Sequence, residues 1–309
     1  MKVLVAGGAG FLGSHLCEFL LKKGHYVFCA DNLLTGKKEN ITEFLNNKNF
    51  KFKKIDVIKN FNINEKFDAI INFASVASPV HYNNYKLETL LVGSYGTYNL
   101  LEFAKKNNAK FLMASTSEVY GDPFETPQKE TYWGNVNPIG ARSMYDESKR
   151  FSEALIMNYH RVTGLDTKMV RIFNTYGPKM NVNDGRVVPQ FIYQALRNIP
   201  ITVFGKGTQT RSFCYVSDLI SGIYKLLMSK ENEPVNIGNP NEITVKQIAQ
   251  IIIKLTNSKS KIIYKPLPSD DPKRRKPDIS KAKKILKWEP KVGLEEGLKK
   301  TILYFVKNF

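Results

Sequence analysis

A glycine-rich turn near the start of the chain constrains the fold more than any other feature. Three glycines form a Gly-x-x-Gly-x-x-Gly pattern, namely Gly7, Gly10 and Gly13. The turn lies between an apolar, strand-like run at residues 2–6 and apolar residues at helical spacing over residues 11–23. Glycines let the backbone approach a pyrophosphate, and the following helix supplies free N–H groups and the positive end of its dipole. The placement therefore predicts a dinucleotide-binding turn.

Strand-like and helix-like segments alternate through the first half of the chain. Further strands are predicted at residues 26–30, 52–55, 69–73, 110–114 and 168–171, and long helices at residues 87–107 and 142–163. Such alternation is typical of βαβ units, in which helices cover both faces of a parallel sheet. The sequence therefore predicts an α/β fold, a Rossmann-type doubly wound parallel sheet with its ligand at the carboxyl ends of the strands.

The character of the sequence changes in the second half. Gly-Pro, Asn-Asp-Gly and Gly-Lys-Gly turn motifs become frequent, and apolar segments become shorter. We interpret residues 1–177 as the dinucleotide-binding domain and residues 178–309 as a smaller, mainly substrate-binding region. Part of residues 213–240 is expected to return to the sheet.

Two acidic residues follow predicted strands where an adenosine would lie. Asp31 ends the second strand and can accept hydrogen bonds from both ribose hydroxyls. A carboxylate there repels a 2′-phosphate, so NAD is favoured over NADP. Asp56 follows the third strand, where it can meet the adenine or cap a helix, and the sequence leaves both roles open.

A tyrosine and a lysine form a second candidate site. Tyr145 and Lys149 are four residues apart in a predicted helix, so their side chains fall on one face. An ammonium beside a phenol, with a nicotinamide cation nearby, favours the phenolate, and we expect the two charges to lower the pKa of Tyr145 toward neutrality. Such a tyrosine can take the proton of a substrate alcohol while hydride leaves the same carbon.

Hydroxyl and carboxyl groups follow the fifth predicted strand. Thr116 can hydrogen-bond a reacting alcohol at this sheet edge. Glu118 lies at the same edge, where burial would raise its pKa into the range of acid–base catalysis. Alternatively, Glu118 is an ordinary acidic residue of a loop.

The charge of the chain raises the question of its partners. The 309 residues carry a formal net charge of +18, supplied by 37 Lys but only 9 Arg, and Asn is also abundant at 27. This enrichment favours a compositional bias at surface positions over nucleic-acid binding, and a positive field also attracts anionic substrates. We expect no nucleic-acid partner and no membrane partner, because no apolar run approaches the ~20 residues of a membrane span.

Cysteine usage and the start of the chain bear on location. Three widely spaced cysteines, Cys17, Cys29 and Cys214, favour a reducing compartment over a disulfide framework or a zinc site. The strand-like run at residues 2–6 leaves no room for a signal peptide. We therefore expect a cytoplasmic protein without a bound metal.

Motifs along nearly the whole chain resemble those of one enzyme family. They are Ala77-Ser78-Pro79, Ser115-Thr116-Ser117-Glu118, Tyr132-Trp133-Gly134, Tyr145-Asp146-Glu147-Ser148-Lys149-Arg150, Asp270-Asp271-Pro272, Arg275-Lys276-Pro277-Asp278 and Trp288-Glu289-Pro290. The chain resembles the extended short-chain dehydrogenases/reductases and, among these, the UDP-glucuronic acid decarboxylases, also called UDP-xylose synthases. Two departures stand out: Val76, where the family usually has Cys or Pro, and Gly93, where it usually has Asn. We expect glycine at position 93 to loosen its helix.

The resemblance implies a reaction without net oxidation. Bound NAD⁺ oxidises C4 of UDP-glucuronate, the C4 ketone lies β to the carboxylate, CO₂ leaves, and hydride returns to give UDP-xylose. The implied catalytic residues are Tyr145, Lys149, Thr116, Glu118 and Arg275, the last close to the substrate carboxylate. A homodimer formed through the helices at residues 87–107 and 142–163 is also implied.

The resemblance also implies two sets of binding residues. Those for NAD are Gly7, Gly10, Phe11, Leu12, Gly13, Asp31, Asn32, Thr35, Gly36, Asp56, Val57, Phe73, Ala74, Ser75, Tyr145, Lys149 and Thr175. Those for the UDP-sugar are Asn174, Arg186, Val188, Arg211, Tyr215 and Arg275.

Position 117 separates related activities. The sugar-nucleotide 4,6-dehydratases have an Asp immediately before the Glu, to protonate a leaving hydroxyl, whereas Ser117 is a poor acid. Decarboxylation requires no such acid, because CO₂ leaves without a proton. The alternatives are a UDP-hexuronate or UDP-hexose 4-epimerase and, from another class, a non-catalytic dinucleotide- or RNA-binding protein.

Overall fold

Seven parallel strands form the central sheet in the computed structural model of the protein. The structure describes residues 1–183, 185–266 and 274–308. The motif Asp270-Asp271-Pro272 lies outside these described residues. The described residues also form three small sheets. Numbered along the chain, the strands of all four sheets are β1 (Lys2–Ala6), β2 (Tyr26–Asp31), β3 (Phe50–Lys54), β4 (Ala69–Asn72), β5 (Lys110–Thr116), β6 (Thr167–Ile172), β7 (Thr175–Tyr176), β8 (Ile201–Phe204), β9 (Thr210–Ser212), β10 (Cys214–Tyr215), β11 (Pro234–Ile237), β12 (Glu242–Thr244), β13 (Ile262–Lys265) and β14 (Arg274–Arg275).

Helices connect most of these strands. They are α1 (Phe11–Lys22), α2 (Pro79–Asn84), α3 (Lys86–Leu91), α4 (Thr97–Asn107), α5 (Ser143–Thr163), α6 (Val187–Leu196), α7 (Val216–Met228), α8 (Val245–Thr256), α9 (Ser280–Leu286) and α10 (Leu294–Asn308). Short 3₁₀ segments lie at Lys38–Phe44 and Ser117–Tyr120, and a π-helical turn lies at Val92–Gly96.

The order of strands in the central sheet is β11-β6-β5-β4-β1-β2-β3. The chain winds outward from β1 in one direction to β3 and then in the other direction from β4, so that the strand order reverses between β1 and β4. This is the doubly wound topology, and the predicted fold class is confirmed. Strand β11 pairs with β6 in parallel, which shows that the chain returns to this sheet late in the sequence. The division into residues 1–177 and 178–309 stays a prediction.

Apolar side chains alternate between the two faces of the sheet. Val3 and Val5 of β1 pack with Leu16 of α1 on one face, and Leu4 packs with Leu100 of α4 on the other. This alternation follows from the period of two in a strand, because a strand covered on both faces buries every residue. Burial of each such side chain contributes about 1.5–3 kcal/mol, which fixes the register of the strand ends where the site lies.

The predicted single helix over residues 87–107 is interrupted. The π-helical turn Val92–Gly96 lies between α3 and α4, and Gly93 faces α5 within this turn. A Cβ at position 93 would lie 2.6 Å from the Ser148 Cβ, and the Ser152 hydroxyl donates a 2.5 Å hydrogen bond to the Gly93 carbonyl. Glycine therefore permits a close helix–helix contact, and the expectation that it loosens the helix stays a prediction.

A small sheet in the second half brings two arginines together. Strands β12, β9 and β14 pair in that order, with β9 and β14 parallel and Arg211 in register with Arg275. The Gln128 backbone bonds to the chain on both sides of Pro277, which ties this region to the loop after β5. The small sheet thereby carries Arg275 to the edge of the central sheet.

The helices and the acidic, histidine and cysteine side chains bear on membrane and metal binding. Within residues 1–183, 185–266 and 274–308, every helix is too short or too polar to cross a bilayer. In the same part of the chain there is no group of three or more His, Cys, Asp or Glu side chains arranged to hold a metal ion.

Candidate active site

Tyr145 and Lys149 lie together at the start of α5, beneath the carboxyl end of β5. The Lys149 Nζ lies 5.9 Å from the centre of the Tyr145 ring, as the spacing of four residues predicts. Both side chains are buried. The Lys149 ammonium donates a 2.8 Å hydrogen bond to the Ala114 carbonyl, and burial lowers its pKa to about 8. Lys149 is therefore anchored to β5 with its ammonium below the phenol ring.

The Tyr145 phenol occupies an apolar pocket. Its ring stacks on Tyr82 with centroids 5.4 Å apart, and Thr116 hydrogen-bonds to its hydroxyl. Burial raises the pKa of Tyr145 well above its ordinary value, and the bond to Thr116 only partly opposes this effect. In the protein chain alone the cost of burying a phenolate dominates, and the expected lowering of this pKa by Lys149 together with a nicotinamide cation stays a prediction. Thr116 and Tyr145 nevertheless meet where a substrate alcohol would be oriented.

Glu118 lies between two arginines in the 3₁₀ segment after β5. Arg142 Nη2 and Arg275 Nη2 donate to the same carboxylate oxygen, Oε2, at 2.5 Å and 2.6 Å. Burial would raise the pKa of Glu118, but Arg275, Arg142 and Arg211 together hold it below its usual range. The expectation that burial raises the pKa of Glu118 is therefore wrong, since the positive charges outweigh burial and keep the carboxylate ionised, and the catalytic role of Glu118 stays a prediction.

Arg275 reaches this cluster from β14 and is almost fully buried, with 3% of its side chain exposed. Its Nη1 donates to the Ser117 carbonyl, and its Nη2 donates to Glu118. Its Nε has no hydrogen-bond partner among the described residues. A buried guanidinium with a donor left over can accept a further anion. The predicted placement of Arg275 close to the substrate carboxylate stays a prediction.

Two charged residues of the cluster around Glu118 were not predicted from the sequence. Arg142 directly precedes α5, and Asp146 lies one turn later, with Arg142 Nε 3.8 Å from Asp146 Oδ2. The available signal was the spacing of four residues between opposite charges just ahead of Lys149. Sequence patterns gave no indication that this pair is turned inward instead of outward, because the partner Glu118 comes from a different part of the chain.

The glycine turn has the shape that a dinucleotide requires. Gly7 has a φ of +77°, and a Cβ there would lie 2.6 Å from the Ala74 backbone nitrogen. A Cβ at Gly13 would lie 2.1 Å from the Gly7 carbonyl oxygen, so that glycine allows α1 to pack against β1. The first backbone N–H groups of α1 therefore remain open at the sheet edge.

Asp31 lies beside this turn at the end of β2. Its two carboxylate oxygens accept hydrogen bonds from the backbone N–H groups of Ala9 and Leu33, at 2.9 Å and 2.8 Å. Each oxygen keeps a lone pair for a ribose hydroxyl. A Cβ at Gly36 would lie 2.8 Å from both oxygens, so glycine is required where this segment passes the carboxylate. These residues fit the adenosine half of NAD.

The other predicted cofactor residues differ in their contacts. Phe73 and Ala74 border the glycine turn, since the Phe73 carbonyl carbon lies 2.6 Å from a Cβ built on Gly7. Asn32 and Asp56 bond to backbone N–H groups two residues onward, so each stabilises a local turn. Val57 is buried against α4. Among the described residues, no hydrogen bond joins the side chains of Leu12, Thr35 or Ser75 to the other predicted cofactor residues. The Thr175 hydroxyl donates a hydrogen bond to the Phe173 carbonyl.

The predicted substrate residues are only partly assembled around Glu118. Arg211 lies beside Arg275 and lowers the pKa of Glu118. Arg186 lies over the Phe11 ring at 5.8 Å, on the cofactor side. The Asn174 carbonyl accepts a bond from Cys214, while Val188 and Tyr215 belong to the apolar core. Substrate contact by Asn174, Val188 and Tyr215 stays a prediction.

Comparison with known proteins decides among the related families. A profile of the GDP-mannose 4,6 dehydratase family matches residues 4–301. The chain is 48% identical over 305 residues to UDP-glucuronic acid decarboxylase 1 of Arabidopsis thaliana, covering 99% of this chain and 70% of that protein. It is 49% identical over 307 residues to UDP-glucuronic acid decarboxylase 1 of Danio rerio, covering 99% and 73%. This chain belongs to the UDP-glucuronic acid decarboxylase family.

Solved structures confirm the fold of this decarboxylase family member. The UDP-glucuronic acid 4-epimerase from Bacillus cereus, in complex with UDP-glucuronic acid and NAD, superimposes with a TM-score of 0.88. It shares 29% sequence identity, and the match covers all of both chains. The decarboxylase family and this epimerase thus share one scaffold, and the side chains at the strand ends have to distinguish their chemistry.

Proposed function

We propose that the protein converts UDP-glucuronate to UDP-xylose and CO₂, using NAD held between the glycine turn and Asp31. The observation that carries the proposal is the buried guanidinium of Arg275 beside Glu118, at the sheet edge that also holds Tyr145 and Thr116. A cation of this kind suits a substrate that brings a carboxylate to the reacting ring. Family membership supports the same reading.

Tyr145 and Thr116 act on the C4 hydroxyl. When bound, NAD⁺ accepts the C4 hydride and, as NADH, returns it at the end of the reaction. Thr116 orients the hydroxyl, and Tyr145 takes its proton. Burial raises the pKa of the Tyr145 phenol, so its ionisation depends on positive charge nearby. The Lys149 ammonium supplies this charge from below the ring.

The arginines act on the other end of the sugar. Once C4 is a ketone, the bond to the C6 carboxyl breaks, and its electron pair moves into an enolate while CO₂ leaves. Arg275 lies where it can bind the carboxylate and stabilise the developing enolate charge. Protonation at C5 then gives the 4-keto pentose, so that one proton is taken up for each CO₂ released.

Glu118 serves this site as a fixed negative charge. It is ionised and shared between Arg142 and Arg275, so it holds the guanidinium groups in orientation. An ionised carboxylate does not donate the C5 proton. We assign Glu118 to orienting Arg275, and proton delivery through it would require a change of its pKa when substrate binds.

We also propose a homodimer formed through α3, α4 and α5. Large apolar side chains are exposed along these helices, among them Leu87, Leu90, Tyr98 and Phe151. Exposed apolar side chains on neighbouring helices are typical of an interface. Light scattering during size-exclusion chromatography tests this assembly: the native chain is expected at about 70 kDa, twice its 35.2 kDa, and Tyr98→Glu is expected to shift it toward the monomer. A native chain at the monomer mass would overturn it.

We also propose that the protein acts in the cytoplasm, and its thiols support this location. Cys17, Cys29 and Cys214 are free and buried, and none is joined in a disulfide. This favours the cytoplasm as the place of action.

Incubation with UDP-glucuronate tests the proposed activity. Purified protein should release CO₂ and form UDP-xylose, without net consumption of NAD. Formation of a UDP-hexuronate without CO₂ would instead establish the 4-epimerase. Tyr145→Phe should abolish turnover while NAD content is kept; an unchanged rate would exclude the proposed alcohol oxidation.

A further inference from the structure

Asp146 is a buried acid next to the catalytic tyrosine that the reaction above does not use. Only 6% of the residue is exposed, in the first turn of α5. Its Oδ2 lies 3.8 Å from Arg142 Nε, while its Oδ1 has no hydrogen-bond partner in the part of the chain that the structure describes. Burying a carboxylate with one oxygen unpaired is costly, so its presence calls for a role.

The contacts of Asp146 lead to the reaction centre in two steps. Arg142 lies between the Asp146 and Glu118 carboxylates, with its Nη2 2.5 Å from Glu118 Oε2. The same Oε2 also accepts a hydrogen bond from Arg275 Nη2. The four groups therefore form a row of alternating charge: Asp146, Arg142, Glu118 and Arg275. Two guanidinium donors on one oxygen restrict the rotation of the Glu118 carboxylate and leave Oε1 outside both bonds.

The charges around Asp146 come from three parts of the fold. Arg142 and Glu147 flank it on the same helix, Glu118 faces it from the 3₁₀ segment, and Arg275 faces it from β14. Tyr82 of α2 covers the neighbouring phenol. Burial and the Glu118 charge raise the pKa of Asp146 to about 7, while the two arginines oppose this rise. Asp146 therefore changes its charge near neutral pH.

We propose that Asp146 is a positioning residue, whose carboxylate restrains Arg142 so that Arg142 and Arg275 together hold Glu118 at the reaction centre. This inference rests on the proposed decarboxylation and extends it. When Asp146 takes up a proton, Arg142 loses the attraction that holds it, and Glu118 loses one of its two fixed partners. Turnover then falls as the pH drops below about 7.

Ionisation of Asp146 supports activity but lowers the stability of the fold. The pKa of Asp146 is above its ordinary value of 3.8, so the folded state binds this proton more tightly than the unfolded chain does. The ionised form thus destabilises the fold at pH values above about 7. Replacement by an uncharged residue of the same shape is expected to leave thermal stability at about pH 8 unchanged or higher.

The test compares Asp146→Asn with Glu147→Gln in the full-length enzyme containing NAD. Glu147 is the matched control, because it is the next acid on the same helix turn and pairs with Arg150 at 3.6 Å. The rate of CO₂ release from UDP-glucuronate is measured from about pH 5.5 to about pH 9, together with the melting temperature. We expect Asp146→Asn to lower kcat about tenfold at its optimum and to lose the acidic limb near pH 7. Glu147→Gln should retain both the rate and the limb.

The following outcomes decide the inference. Equal kcat and an equal acidic limb in wild type and Asp146→Asn would overturn it. If Asp146→Asn does not fold, Asp146→Glu replaces it; a kcat between those of wild type and Arg142→Met would support the inference, and a kcat at or below that of Arg142→Met would overturn it. A wild-type enzyme that releases no CO₂ contradicts the proposed function first, and the inference falls with it.

Discussion

Arg275 Nη2 lies 2.6 Å from Glu118 Oε2, although the two residues are 157 positions apart in the chain. The small sheet of β12, β9 and β14 carries the guanidinium to the carboxyl end of β5, where Thr116, Ser117 and Glu118 follow one another. This contact closes the site over the position expected for a substrate carboxylate. It also keeps Glu118 ionised, which limits the part that Glu118 can take in proton transfer.

Arg275→Ala should damage decarboxylation more than cofactor binding. Loss of one charge-stabilising donor costs about 10²–10³ in kcat, and Arg275 contacts Ser117 and Glu118, not the glycine turn. CO₂ release and the NAD content of the purified protein are measured together. Arg274→Ala is the matched control, because Arg274 is 54% exposed and pairs with Glu242. Equal losses of activity and NAD in Arg275→Ala would contradict the role at the carboxylate.

Asp31→Ala should weaken NAD binding without unfolding the protein. The carboxylate that fits the ribose hydroxyls is removed, together with the acceptor of the Ala9 and Leu33 backbone N–H groups, while the backbone of β2 keeps its pairing in the sheet. We expect a loss of bound NAD, recovered by adding NAD at high concentration, and a smaller preference for NAD over NADP. Asp68→Ala is the comparison, since Asp68 accepts a 2.7 Å hydrogen bond from the Lys2 backbone N–H at the amino end of β1. Unchanged NAD affinity in Asp31→Ala would place the adenosine elsewhere.

Gly93→Ala should destabilise the fold. The new Cβ would lie 2.6 Å from the Ser148 Cβ in α5, and overpacking of this kind costs about 1–3 kcal/mol. The expected result is a melting temperature lowered by several degrees, measured by calorimetry. Gly293→Ala serves as control, because a Cβ there meets nothing within 4 Å. If Gly93→Ala were as stable as Gly293→Ala, the close contact between the two helices would not hold.

Features that depend on neighbours in sequence could be predicted. The glycine turn, the alternation of strands and helices, and the spacing of Tyr145 and Lys149 are all local, and the structure reproduces each of them. The strand boundaries differ by only a few residues; for example, β3 spans Phe50–Lys54 and not residues 52–55. Hydrophobic burial on both faces of the sheet determines these elements once the pattern is present.

Features that depend on distant parts of the chain could not be predicted from the sequence. The ionisation of Glu118 is set by Arg275 and Arg211, which approach only after the small sheet has formed. The inward orientation of Arg142 and Asp146 depends on the same contact. The π-helical turn at Gly93 reflects packing against α5, which the helical period of residues 87–107 does not encode.

UDP-glucuronate carrying deuterium at C4 tests the central claim most directly. If the C4 alcohol is oxidised and then reduced within the same site, the UDP-xylose formed should keep its deuterium at C4, and enzyme quenched during turnover should hold deuterium on the nicotinamide. Mass spectrometry of product and extracted cofactor measures both. UDP-xylose formed with ordinary hydrogen at C4, or a nicotinamide that never acquires the label, would contradict the account.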